Sequence, residues 1–134
     1  MNKKHFKPFL LGLVGGSLAV LAMALFSTSV SAAKWLEADY VGNHCQGKIE
    51  YRLKDTTRVD CLTNTHAIEY DFAHKWAEAI GQALHYAAMT GKKPGIVLIV
   101  DPTVRGTRYL ARLKSALDSI PCVKIDLWLI ESRI

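Results

Sequence analysis

The chain has 134 residues, 22% charged and 50% hydrophobic, with a formal charge of +5. Three lysines and no acids fall within residues 1–32, so the remaining 102 or so residues carry only +2. That is one domain, with no room for a second domain or a long lid, and its charge alone does not argue for a nucleic-acid partner.

Residues 1–32 have the layout of a secretory signal. Lys3, Lys4 and Lys7 make a basic start, Leu10–Phe26 is apolar, and small polar residues follow up to a cleavage triplet, Val30-Ser31-Ala32. An uncleaved membrane anchor is the alternative, but the apolar run is short for a span and interrupted by Gly12, Gly15 and Gly16. The expected location is periplasmic or secreted, without stable membrane association after cleavage.

Lys34–His44 predicts a short helical turn ended by Gly42-Asn43, with Trp35, Leu36 and Tyr40 as its packing face. Lys48–Leu53 alternates apolar and polar residues, as a strand with one dry face does. Arg58–Thr63 and His66–Asp71 are the next two strands, joined by a tight turn at Asn64-Thr65. The three form an antiparallel meander. Asp71 is placed to cap a helix over Phe72–Met89, whose stripe of Trp76, Ile80, Ala83, Leu84 and Ala87 faces the core. Lys92-Lys93-Pro94 reads as a loop, and GIVLIV at Gly95–Val100 as a central buried strand. A basic amphipathic helix over Arg105–Ser119 and a last strand over Cys122–Glu131 complete the chain. The predicted class is α/β, with helices covering a mixed sheet.

Strand acids carry the chemistry. Asp60 and Glu69 lie equally far from the Asn64-Thr65 turn, so they fall near opposite positions of paired strands. Like charges in that relation repel, and a divalent cation between them converts the cost into binding. Mg²⁺ (or Mn²⁺) suits such a site, because it takes oxygen ligands and keeps several waters. Glu50 on the preceding strand is either a third carboxylate or a surface residue. Lys75, four residues past Asp71, is either an exposed helix lysine or a group aimed at phosphate; near a helix N-terminus it opposes the dipole, which favours a function. Gln82 and Tyr86 follow on the same helix stripe.

The cationic residues Lys92, Lys93, Arg105, Arg108, Arg112 and Lys114 could track a phosphate backbone, although a solvated helix face is the more usual explanation. The histidines do not cluster by spacing. Cys45, Cys61 and Cys122 match no zinc pattern; export permits a disulfide, an odd count leaves one thiol over, and Cys61 in mid-strand reads as simply buried. There is no Gly-rich phosphate loop, GxSxG or HExxH, which removes support for nucleotide-binding and acyl-transfer readings.

The segment over residues 48–100 resembles the core of the PD-(D/E)xK, or restriction-endonuclease-like, nuclease superfamily. The resemblance implies a helix, a three-strand meander, a helix and a strand. It further implies that Asp60 and Glu69 bind Mg²⁺ and that a lysine completes the site. Gln82-x-x-x-Tyr86 resembles the QxxxY helix motif of one exonuclease branch, and Glu50 resembles an accessory acid. The family lysine should stand two residues after Glu69, where this chain has Asp71. Lys75 is then a lysine migrated onto the helix, or Asp71 joins the acids. The expectation is an exported nuclease acting on DNA or RNA. In it Asp60, Glu69 and the Tyr70 carbonyl hold the ion, Lys75 orients water or phosphate, and Gln82 and Tyr86 brace the site and touch substrate. The alternative is a non-catalytic periplasmic binding domain of the same fold.

Overall fold

Five strands form one mixed sheet in strictly sequential order, β1 to β5. The computed structural model describes residues 33–133; the expected signal segment lies outside them. Helix α1 (Glu37–His44) leads into β1 (Lys48–Arg52), β2 (Arg58–Leu62) and β3 (His66–Phe72). A 3₁₀ turn at Ala73–Lys75 opens α2 (Trp76–Thr90), followed by β4 (Lys93–Val100), α3 (Val104–Asp118) and β5 (Asp126–Glu131). β1, β2 and β3 pair antiparallel, whereas β3–β4 and β4–β5 are parallel and are joined through α2 and α3. The α+β class and the order of elements agree with the sequence reading.

The layers follow from strand alternation. Ile96 and Leu98 pack with Ala79, Ala83, Leu113 and Ile125 under α2 and α3. Val97 and Ile99 point the other way and pack with Ile68, Tyr70, Tyr40 and Val41 under α1. β4 is therefore dry on both faces, which is why its sequence shows no alternation. Ala79 and Ala83 are fully buried, and their small side chains let α2 lie close on the sheet. Gly91 ends α2 in the left-handed region at φ 69°, its N–H on the Ala87 carbonyl.

Local details differ from expectation. β1 is an edge strand exposed along its whole length, so Ile49 and Tyr51 are not a dry face; only Leu53, just beyond it, is buried. In α1 the buried pair is Tyr40 and Val41, while Leu36 is exposed and offers its N–H to the Asp39 carboxylate at 2.7 Å. β4 begins inside the expected loop, at Lys93-Pro94. Proline is tolerated there because β5 joins β4 only from Gly95 onward. β5 starts at Asp126 rather than Cys122, which is exposed with a free thiol. Cys61 is more than a buried apolar residue: it is disulfide-bonded to Cys45, which fastens the end of α1 to β2.

Candidate active site

The β2–β3 ladder ends at the Cys61–Ile68 pair, and there the strands part. Extending the register by one step sets Asp60 opposite Glu69, as the spacing from the turn predicted. In place of a further main-chain rung, the Tyr70 N–H donates to Asp60 Oδ2 at 2.8 Å. Ile68 and Tyr70 face the α1 layer, so by alternation Glu69 and Asp71 face the opposite side.

Asp60, Glu69, Asp71, Lys75, Gln82 and Glu37 line one polar cavity of about 260 Å³. It opens between the first turn of α1, the parted strands and the start of α2. Glu69 and Asp71 are almost wholly buried, at 5% and 2% exposure. Glu69 Oε2, Asp71 Oδ2 and Gln82 Oε1 have no hydrogen-bond donor. Buried acceptors left in this state are costly unless a cation or water meets them.

The protonation pattern reflects that cost. Burial first, then the charges of Asp60 and Asp71, hold the Glu69 carboxyl far above the carboxylate range. Burial pushes Asp60 up to about 6, against the opposing Tyr70 N–H. Burial and then Glu37 push Asp71 up to about 7, although Lys75 pulls the other way. At Asp71, desolvation outweighs the neighbouring lysine.

Asp71 does not cap α2. Phe72 and Lys75 hold the cap positions of the 3₁₀ turn and α2, neither with a side-chain bond, and Asp71 is still in β3. Its carboxylate instead meets Lys75 Nζ at 3.5 Å. Lys75 also reaches Glu37, at 2.9 Å to Oε1, and the hydrogen bond to Glu37 is the first cause of its raised pKa. Lys75 thus points into the cavity, toward Asp71 and Glu37 rather than at the Asp60–Glu69 pair.

Glu50 sits on the rim, half exposed and ion-paired to Arg58 at 2.8 Å. Its backbone has φ 52°, a left-handed conformation uncommon outside glycine, and the β1–β2 pairing skips it. Gln82 lines the cavity. Tyr86 lies behind it at 5% exposure, packed with Leu53, Val59 and Ala67. With so little surface it offers no open ring to a base. Glu37 was missed in the sequence. The available signal was an acidic first turn in α1, which is indistinguishable from ordinary dipole compensation.

Among the described residues, no three His, Cys, Asp or Glu side chains stand as a ready ligand cage. Mg²⁺ does not require one: one or two carboxylates suffice, with water completing its octahedron. The orphaned Glu69 Oε2, beside the Asp60 carboxylate, fits that donor set. A larger cavity, about 650 Å³, lies against His44, His66 and Trp128 and has no carboxylate in its lining.

The chain matches no known protein family, no curated protein and no solved structure.

Proposed function

We propose that this chain is a small exported, metal-dependent nuclease with a restriction-endonuclease-like core, hydrolysing phosphodiester bonds of DNA or RNA. One observation carries the reading: buried acids on two parted strands share a cavity with a lysine, and acceptor oxygens there lack donors. Asp60 and Glu69, with the Tyr70 carbonyl, would hold Mg²⁺ or Mn²⁺, and Glu50 would reach it from the rim. A bound ion supplies Lewis acidity, lowering the pKa of water and stabilising charge that develops on phosphate. Glu69 would have to be ionised to serve as a ligand. Lys75, held in place by Glu37 and Asp71, presents positive charge to a phosphate oxygen. Gln82 positions a carboxylate or a backbone group.

The second reading is a non-catalytic binding domain of the same fold. It is favoured by the engagement of Lys75 with Glu37 and Asp71 instead of the Asp60–Glu69 pair.

The test is cleavage of supercoiled plasmid and of single-stranded DNA and RNA with Mg²⁺, Mn²⁺ or EDTA, for the parent, Asp60→Ala and Lys75→Ala. Metal-dependent cutting that disappears in Asp60→Ala is expected. Folded protein that binds nucleic acid but cuts no substrate in any metal rejects the nuclease in favour of the binding domain.

A further inference from the structure

A second cavity, about 440 Å³, lies at the same end of the sheet as the acidic one. This volume is within the ~300–1,000 Å³ range of small-ligand pockets. The two cavities are built by consecutive residues of the same elements. Leu36 lines one and Glu37 the other, Phe72 one and Asp71 the other, His74 one and Lys75 the other. Consecutive Cα atoms are ~3.8 Å apart, so the two cavities share backbone at that end of the sheet, with Phe72 and Asp71 on opposite faces of β3.

The second cavity differs in chemistry. Its flat walls are two stacked pairs. The Arg133 guanidinium lies over the Trp35 ring at 4.2 Å, and Phe72 and His74 stack with an interplanar angle of 14°. Trp35 and Phe72 anchor the pairs against the core, whereas Arg133 and His74 are exposed. Lys34 adds a second cation, and Asp101 is the one acid in the lining. Aromatic faces joined to guanidinium planes are how proteins hold unpaired bases without regard to sequence.

We propose that this cavity is a nucleobase subsite, and that the substrate class is single-stranded nucleic acid. The base stacks between the two walls, the backbone passes Lys34 and Arg133, and the adjoining phosphate lies at the acids. A duplex keeps its bases stacked inside and cannot fill the cavity. The proposal rests on the nuclease reading for the role of the neighbouring acids, but its own content is recognition of a base.

The test measures binding of fluorescein-labelled single-stranded DNA and RNA, with Ca²⁺ replacing Mg²⁺ to hold back cleavage. Intact oligonucleotides are compared with ones carrying a single abasic residue, moved position by position. The variants are His74→Ala and Arg133→Ala. Both side chains are exposed, and Arg133 holds Tyr40 through its backbone N–H, so that contact survives truncation.

An abasic residue at one position is expected to weaken binding by about tenfold. Each variant should weaken binding of the intact strand comparably and erase the abasic difference, with duplex binding unchanged. Variants that bind single strands like the parent, or abasic residues without effect at every position, overturn the subsite and leave the nuclease reading standing. Base-dependent binding lost in the variants, in a protein that cleaves nothing with Mg²⁺ or Mn²⁺, upholds the subsite and removes the nuclease. A protein that binds neither strand form overturns both.

Discussion

Asp60 takes the place of a strand: its carboxylate accepts the Tyr70 N–H at 2.8 Å where the β2–β3 ladder has ended. One side chain therefore does two jobs. It satisfies a main-chain donor, and it brings a carboxylate to the mouth of the acidic cavity. Asp60→Asn separates them, because an amide oxygen still accepts from Tyr70 but carries no charge. At pH 8 the variant should be more stable than the parent by on the order of 1 kcal/mol, since Asp60 is ionised there against burial. Metal-dependent cleavage should fall by about 100-fold or more. Urea unfolding and plasmid cleavage on one preparation check both halves; a variant that is less stable yet fully active contradicts the assignment.

The acids also set a pH dependence. Glu69, Asp71 and Asp60 all have folded pKa values above their ordinary ones. Between the ordinary carboxyl values of 3.8 to 4.5 and the raised ones, the folded chain binds protons that the unfolded chain has released. Stability is then fully present below about pH 4 as far as these groups are concerned, and it is lost as pH rises through 6 and 7. In EDTA the unfolding midpoint should drop from pH 5 to pH 8. Added Mg²⁺ should recover more at pH 8 than at pH 5, because the ion competes with protons for the same oxygens. Glu69→Gln should flatten the EDTA profile and abolish the Mg²⁺ recovery. A midpoint that rises with pH in EDTA argues against buried acids.

The Cys45–Cys61 bond closes a loop with a sequence separation of 16 and ties α1 to β2. Replacing both cysteines with serine should cost about 3 kcal/mol, the loop-closure value for this length. Glu37 rides on the tethered helix and holds Lys75. Cleavage by the variant, or by the reduced parent, should therefore decline further than the unfolded fraction explains. Equal specific activity in the folded fractions would show that α1 keeps its place without the bond.

Glu50 has a left-handed backbone at the rim of the cavity. Glu50→Gly removes the steric cost of that conformation and should raise stability by about 1 kcal/mol. The same change deletes a carboxylate, so metal affinity should fall. A thermal melt beside a Mg²⁺ or Mn²⁺ titration reads both. A fall in stability would mean that the Arg58 ion pair at 2.8 Å outweighs the strain.

Elements with a strong local pattern were legible. The GIVLIV run announced a strand dry on both faces, and the equal spacing of Asp60 and Glu69 from their turn predicted their register. What the sequence hid was mostly tertiary. Ile49 and Tyr51 alternate as though one face were dry, yet nothing covers β1. Asp71 looks like a cap because it precedes a helix, but a 3₁₀ turn intervenes and leaves it in the strand. Tyr86 and Gln82 share a helix stripe, yet the depth at which Tyr86 is buried depends on Leu53 and Val59, distant in the chain. Glu37 and Arg133 belong to the two cavities only because α1 and the end of β5 meet there. No local pattern encodes such a meeting.

The sheet order has a kinetic consequence. Each strand lies beside the one made just before it, so no strand waits for a partner further along the chain. A chain extended from its N-terminus meets a finished template at every step: a hairpin for β3, then β3 for β4, then β4 for β5. Pairings between consecutive elements keep closure entropy low even where the strands are parallel. Assembly can thus proceed in the direction in which the chain is threaded, with the acid-bearing strands in place before the last third of the chain arrives.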